Sequence, residues 1–183
     1  TSGNFSALLT REPLTICITA SGNEKGALNA SNFLEIDENA NVLNGDGKPS
    51  AETAIHLAIY KLKSSANAIL HTHSICGTVL SDVYFERGAI EIEGYEMLKG
   101  LSGNATHEMT ERLPIIENSQ NYAELSKIVE ETLLENPTAH GVYLRRHGIY
   151  TWGDSVAEAK RHIEIFEFLL EVLYRKITLG KNI

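Results

Sequence analysis

Two histidines flank a single threonine in the stretch "LHTHS", where His71 and His73 follow a run of apolar residues. Side chains two positions apart on a strand point to the same face of the sheet. Both imidazoles are therefore expected to project together from the end of a strand. Because two adjacent imidazoles lose hydration and repel each other when charged, the pair indicates a divalent metal site.

The best candidate for a third ligand is His147, which lies in "RRHGIYTWG" between two predicted strands. Gly148 follows it directly and allows a close approach of the backbone or a strained turn. The chain has seven histidines, and His107 in a polar loop could also approach the site. The remaining three are interpreted as structural, surface or turn residues: His56, His140 and His162.

Three histidines from separate segments leave one coordination position open, as in a catalytic rather than a closed structural metal site. No cluster of cysteines competes for the metal. Zinc is the expected ion, one per chain, although imidazole also suits iron, cobalt and manganese.

Three carboxylates are candidates for acid/base chemistry beside such a metal. Glu52 begins a predicted helix, where it equally suits a role at the helix N-terminus. Glu96 follows a predicted strand and a glycine turn, and its neighbour Glu93 is an equally simple candidate. Spacing alone leaves the choice between Glu93 and Glu96 open.

Three turns rich in small polar residues lie in the first third of the chain: "TSGNFS" (1–6), "ASGNEKG" (20–26) and "KPSAE" (48–52). Turns of this kind combine hydroxyl groups with backbone amides and form anion-binding nests. Three of them beside a predicted metal site indicate a phosphorylated substrate.

The elements that must position these residues are interleaved strands and helices. β-Branched and apolar runs predict strands at 13–20, around 42–43, at 67–74, 89–93 and 112–117, and on both sides of "RRHG" within 139–153. Helical periodicity predicts helices at 51–63 with Ser50 as N-cap, at 75–86, 95–101, 121–136 and 155–177. These elements predict one layered α/β domain over residues 1–183, with a largely antiparallel or mixed sheet.

Composition excludes several classes of protein. The net charge of −8 leaves no basic stripe for nucleic acid, and no apolar run approaches the length of about 20 residues that a membrane helix needs. A small anionic substrate is compatible with the acidic chain, because one pocket can be locally positive. The two cysteines are not paired by their spacing, which favours free thiols and a cytoplasmic location.

The motifs "SGN", "ASG", "PSAE", "HTHS" and "RRHG" occur in an order that resembles the class II aldolase superfamily. The resemblance implies a three-layer α/β/α sandwich around a mostly antiparallel sheet. It also implies a homotetramer with active sites between subunits. Members of the superfamily have helices before the "TSGN" turn, so a short N-terminal helical segment is expected to be missing here.

More narrowly, "EGYEMLKGL", "PIIENSQN" and "RRHGIYTWGDSVAEAKRHIEIFEFLLE" resemble a dehydratase branch of the superfamily. The reaction that this implies is zinc-dependent dehydration of 5-methylthioribulose 1-phosphate to 5-methylthio-2,3-diketopentyl phosphate in methionine salvage. The resemblance places the acid/base on Glu96 and gives Glu52 the catalytic or fourth-ligand position of the aldolase branch. It implies zinc ligands at His71, His73 and His147, and phosphate contacts at Ser2, Asn4, Ser21, Gly22, Lys25 and Ser50.

Two alternatives remain at this point. A sugar-phosphate aldolase or epimerase would use the same metal, with Glu52 as the essential base. A non-catalytic scaffold on the same fold is disfavoured, because the three histidines and both carboxylates are retained.

Overall fold

Nine strands form one sheet in the computed structural model, which describes residues 3–180. They are β1 (Asn4–Arg11), β2 (Leu14–Thr19), β3 (Phe33–Asp37), β4 (Val42–Asn44), β5 (Ala68–Thr72), β6 (Ala89–Ile92), β7 (Glu111–Ile116), β8 (Gly141–Leu144) and β9 (Gly148–Gly153). Their order across the sheet is β4-β3-β2-β1-β5-β9-β8-β7-β6. The pair β7–β8 is parallel and the other neighbours are antiparallel, so the expected mostly antiparallel sheet is confirmed.

Four α-helices cover the two faces of this sheet: α1 (Thr53–Leu62), α2 (Ile75–Val83), α3 (Tyr122–Glu135) and α4 (Val156–Thr178). Short 3-10 helices occur at Ala30–Asn32, Phe85–Arg87 and Glu96–Gly100. Among the described residues, no helix is both long and apolar enough to cross a membrane.

Alternation along β8 shows that the helices form two separate layers. Val142 and Leu144 pack into the apolar cluster that contains α1 and α3. Tyr143, between them, packs into the cluster that contains α2 and α4. Because successive side chains of a strand point to opposite faces, the two clusters lie on opposite sides of the sheet. The three-layer α/β/α sandwich is thereby confirmed.

Strand β1 is absent from the sequence-based prediction, which treats its beginning as a turn. The buried side chains at its start are polar, namely Asn4 and Ser6, which are 4% and 3% exposed. A strand that buries polar residues lacks the apolar alternation by which half-buried strands are identified. Strand β3 is also missing from the prediction.

The prediction that Ser50 caps helix α1 is wrong. The helix begins at Thr53, and Glu52 occupies the N-cap position without a side-chain cap. The Ser50 hydroxyl instead accepts a hydrogen bond of 3.3 Å from the backbone N–H of Glu52. Ser50 therefore orders the turn before the helix, and Glu52 is left free to point elsewhere.

Candidate metal centre and substrate cavity

Three histidines converge at one end of the sheet. His71 lies near the end of β5, His73 just beyond it, and His147 in the turn that joins β8 to β9. Strands β5 and β9 are antiparallel neighbours, which brings the end of one beside the start of the other. One ring nitrogen from each histidine lies within 4.8 Å of the others. The structure thus brings together the three residues that the sequence predicted as ligands.

Hydrogen bonds fix which ring nitrogens face the centre of this cluster. The Nδ1–H of His71 donates to the carbonyl oxygen of Ile149 at 3.0 Å, and Nδ1 of His147 is 3.3 Å from Oδ1 of Asn118. The opposite nitrogen, Nε2, of each ring therefore faces the centre of the cluster, where it could offer a lone pair to a metal ion. Nε2 of His71 lies 2.8 Å from Nε2 of His73, which a shared proton or a metal ion must stabilise.

The carboxylate of Glu52 completes the cluster. Its two oxygens lie 3.1 Å from Nε2 of His147 and 3.5 Å from Nε2 of His71. Burial alone raises the pKa of Glu52, but the hydrogen bond with His147, the charge of His71 and the hydrogen bond from Asn4 outweigh it and lower this pKa to about 2. Burial lowers the pKa of His71 to about 3. An ionised carboxylate and neutral imidazoles are the donor set that a divalent transition metal prefers.

Two glycines allow the chain to approach His71 and His73 closely. A Cβ at Gly148 would lie 2.5 Å from Cδ2 of His73 and 2.7 Å from Cε1 of His71. Gly3 has a φ of +117°, and a Cβ there would overlap the carbonyl oxygen of His71. The close approach expected at Gly148 is therefore present.

A cavity of about 430 Å³ opens beside Glu52 and His73. Its lining includes five of the six residues expected to contact phosphate: Asn4, Ser21, Gly22, Lys25 and Ser50. The sixth, Ser2, lies outside the described residues. The Lys25 ammonium donates to the Ala20 carbonyl at 3.2 Å, and within residues 3–180 it forms no ion pair with a carboxylate. The cavity therefore combines a cation with hydroxyl groups, as an anion site requires.

Glu96 is not part of this cluster within one chain. It lies on the 3-10 helix Glu96–Gly100 with its side chain 73% exposed, 2.8 Å from Lys99 and 3.6 Å from His107. Its neighbour Glu93 accepts a hydrogen bond of 3.4 Å from Thr110 instead. Neither lines the cavity beside Glu52. The geometry of a single chain consequently does not choose between them.

The other histidines have different surroundings. His107, which the sequence left as a possible approach to the metal, contacts Glu96. His140 is not a surface residue, because its side chain is 15% exposed and its Nδ1 lies 2.8 Å from the buried carboxylate of Glu111. His162 is a satisfied core residue, as expected, since its Nδ1 lies 2.7 Å from the Trp152 carbonyl.

Several residues of the site were missed by the sequence reasoning. Asn118 orients His147, and Tyr122 lines the cavity. Tyr150 stacks on His71 with ring centroids 4.0 Å apart, and its buried hydroxyl has no hydrogen-bond partner in the part of the chain described. Asn118 and Tyr122 come from or follow "PIIENSQN", whose polar end could have indicated them. Tyr150 lies in an apolar strand, where nothing in the sequence separates it from the core.

Proteins of similar sequence include several methylthioribulose-1-phosphate dehydratases. A methylthioribulose-1-phosphate dehydratase from Pseudoalteromonas translucida (strain TAC 125) is 43% identical over 92% of this chain and 78% of the relative. One from Stenotrophomonas maltophilia (strain R551-3) is 40% identical over 97% of this chain and 83% of the relative.

Among solved structures, an L-fuculose 1-phosphate aldolase superposes with a TM-score of 0.80 at 23% identity, over 100% of this chain and 79% of that one. At this level of identity the likeness concerns the fold. Residues 1–174 match the family described as Class II Aldolase and Adducin N-terminal domain. The chain belongs to this class II aldolase family.

Proposed function

We propose that the chain dehydrates 5-methylthioribulose 1-phosphate to 5-methylthio-2,3-diketopentyl phosphate, with zinc as cofactor, in methionine salvage. The enzyme class is that of a hydro-lyase, since curated relatives about 40% identical over most of the chain are methylthioribulose-1-phosphate dehydratases. The observation that carries the proposal is the adjacency of the three-histidine cluster to the cavity that contains Lys25. A sugar phosphate needs a metal ion to bind its ketone and hydroxyl oxygens, and a cavity with a cation to bind its phosphate group.

The proposed zinc ligands are His71, His73 and His147. One ring nitrogen of each lies within 4.8 Å of the others, and the nearby carboxylate of Glu52 adds negative charge. When bound, zinc supplies Lewis-acid stabilisation of negative charge that develops on the ketone oxygen. Glu52 serves either as a fourth ligand or as a charged partner that holds His147.

The phosphate group is proposed to bind in the cavity. Lys25 supplies a positive charge there, and Ser21 and Ser50 supply hydroxyl donors beside the Gly22 turn. Asn4 lies between the two halves of the site, because its side-chain amide contacts both Glu52 and Ser50. Ser2 is proposed as a further contact from its position in the sequence.

The proposed acid/base is Glu96. Its carboxylate takes the proton from the carbon next to the ketone and gives it to the hydroxyl group on the following carbon, which leaves as water. The remaining enol then ketonises to the diketone. Because Glu96 is exposed and does not belong to the cluster of His71, His73 and His147, we propose that it acts on the site of a neighbouring subunit. This agrees with the homotetramer and the intersubunit active sites expected from the sequence.

The expected cytoplasmic location also stays a prediction.

The alternative is the activity of a class II sugar-phosphate aldolase or epimerase, which the position of Glu52 beside the histidines would suit. That reaction breaks a carbon–carbon bond after a hydroxyl proton is removed. The base would then be Glu52, the carboxylate that lies within 3.5 Å of two of the histidines.

An assay of the zinc-loaded protein with two substrates side by side separates these activities. Diketone from methylthioribulose 1-phosphate, without aldehyde from fuculose 1-phosphate, supports the dehydratase. Glu96→Gln should then abolish turnover and leave zinc bound, whereas the matched variant Glu93→Gln should remain active. Full activity of Glu96→Gln, or release of aldehyde as the main reaction, would refute the proposal.

A further inference from the structure

A row of buried polar side chains connects the core to Glu52. It runs between β1 and α1 from Tyr60 through Ser6, His56 and Asn4. The Ser6 hydroxyl lies 3.0 Å from the Tyr60 hydroxyl and 2.7 Å from Nδ1 of His56. Nε2 of His56 contacts Oδ1 of Asn4, and the side-chain NH₂ of Asn4 donates to Glu52.

The direction of every hydrogen bond in this row follows from its end at Glu52. The atom of Asn4 that contacts Glu52 is Nδ2, and an oxygen of the Glu52 carboxylate accepts the hydrogen bond. The NH₂ group of Asn4 must therefore face Glu52, which turns the amide oxygen of Asn4 towards His56. Nε2 of His56 must then carry a proton, and Nδ1 accepts from Ser6.

His56 is thereby held as one neutral tautomer. Its side chain is wholly buried, with 0% exposure. A neutral imidazole whose two nitrogens are both paired has lost no hydrogen bond on burial. The opposite tautomer would place the lone pair of Nε2 against the amide oxygen of Asn4, and the amide would be free to turn over.

We infer that His56 is a positioning residue, which fixes the Asn4 amide so that its NH₂ group faces both Glu52 and Ser50. The NH₂ nitrogen of Asn4 lies 3.4 Å from the Ser50 hydroxyl, so a single amide orientation serves the metal centre and the phosphate cavity together. A reversed amide would put its oxygen against the carboxylate of Glu52. The effect on phosphate rests on the proposed function, whereas the effect on Glu52 and the metal centre does not.

The geometry of the row argues for positioning rather than filling of the core. Helix α1 already buries apolar side chains such as Ile55 and Ile59, which are 0% exposed. An apolar residue at position 56 would fill the same space without the need for two matched polar partners, Ser6 and Asn4. Buried polar groups of this kind specify one arrangement of their neighbours.

The test compares four single variants and one double variant by their zinc dissociation constants, measured by competition with a chromophoric chelator. His56→Leu removes both hydrogen bonds, His56→Gln retains a donor for Asn4, and Asn4→Ala removes the mediator. The matched control is Thr53→Val, on the same helix, because the Thr53 hydroxyl is buried and lacks a hydrogen-bond partner among residues 3–180.

We expect His56→Leu to weaken zinc binding by about 10-fold or more, as the loss of residues that orient ligands does. His56→Gln should recover most of this loss, and Thr53→Val should bind zinc like the parent. In the Asn4→Ala background, His56→Leu should have no further effect, because its route to Glu52 is already removed. The dissociation constant of inorganic phosphate for zinc-loaded protein should follow the same pattern.

The inference would be overturned if His56→Leu weakened zinc binding equally in the parent and in the Asn4→Ala background. It would also be overturned if His56→Leu bound zinc as tightly as the Thr53→Val control. If His56→Leu does not fold, Ser6→Ala supplies the same test, since it frees Nδ1 of His56 and permits the wrong tautomer. The binding measurements need no turnover. A protein that fails to dehydrate its proposed substrate but shows the coupling would refute the function and leave the positioning role intact.

Discussion

Gly148 lies against the ring of His73 so closely that a Cβ at position 148 would be 2.5 Å from Cδ2 of that ring. The same Cβ would be 2.7 Å from Cε1 of His71. The close approach of β9 to these two rings therefore requires a residue without a side chain at position 148. A residue outside the donor set thus determines whether the donors can converge.

Substitution of Gly148 by alanine should weaken metal binding. The methyl group would overlap the backbone carbonyl oxygen of Thr72 and both imidazoles, so the end of β5 and the rings it carries must shift. Metal-ligand geometry tolerates little displacement. We expect zinc affinity to fall by about 10-fold or more, on the scale of other changes that misorient ligands. Competition with a chelator measures it.

The control for this variant is Gly26→Ala. A Cβ at Gly26 would have no atom within 4 Å, and the residue does not have a positive φ. Zinc binding should be unchanged there. If Gly148→Ala bound zinc as tightly as Gly26→Ala, the steric argument would be wrong.

Removal of the metal should lower the melting temperature of the protein. A ligand that binds the folded state alone stabilises it by about 4 kcal/mol at a free concentration of about 1,000 times its dissociation constant. Calorimetry with and without a chelator measures the shift. His73→Ala should abolish it, whereas His107→Ala should retain it, because His107 contacts Glu96 rather than the cluster. A shift that survives His73→Ala would place the metal elsewhere.

Acidification should destabilise the metal-free protein. Burial lowers the pKa of His56 to about 3, below its value of about 6.5 in an unfolded chain. Between these two values the unfolded state binds a proton that the folded state does not. The free energy of unfolding therefore falls as the pH falls from about 6.5 towards 3, by about 1.4 kcal/mol per pH unit for this one residue.

Urea unfolding of metal-free protein at several pH values between 7 and 4 tests this expectation. His56→Gln lacks the titrating group, so its stability should depend less steeply on pH, by about one proton. Equal slopes for the parent and His56→Gln would show that His56 is protonated in the folded state, contrary to its burial.

Replacement of Lys25 by methionine should impair substrate binding more than chemistry. The Lys25 ammonium is the positive charge of the cavity lining, and a charge-assisted hydrogen bond contributes about 1.5–3 kcal/mol. We expect KM for the phosphorylated substrate to rise by about 10-fold or more, with a smaller change in kcat. Lys61→Met, at an exposed position of α1, should leave both unchanged. An unchanged KM for Lys25→Met would place the phosphate elsewhere.

Mixed oligomers should reveal whether Glu96 acts on a neighbouring subunit. Glu96→Gln and His73→Ala chains are each expected to be inactive alone. If a site takes its histidines from one chain and Glu96 from another, random mixing of equal amounts restores about a quarter of the sites. Co-expression followed by the dehydratase assay measures this. No recovery in proven mixed oligomers would show that each site uses its own Glu96.

The sequence by itself determined the layered α/β class, most helices and the three histidines. His71 and His73 were identified because strand period 2 puts them on one face, and that period is a local property of the chain. Helix α4 carries an apolar face over Val156–Thr178, and this face is visible in the sequence without knowledge of the tertiary contacts. Such features depend on residues close in sequence.

Tertiary structure alone decided what surrounds the metal ligands. Strand β1 was missed because it buries Asn4 and Ser6, and their burial makes sense only beside His56 of a helix 50 residues away. The predicted Ser50 cap was wrong because the helix begins at Thr53, which leaves Glu52 at the N-cap position with its carboxylate directed to His147. For Glu96, by contrast, the tertiary structure of a single chain leaves the side chain exposed and outside the cluster of histidines. Contacts between distant segments set burial, tautomer and charge, and these cannot be obtained from local periodicity.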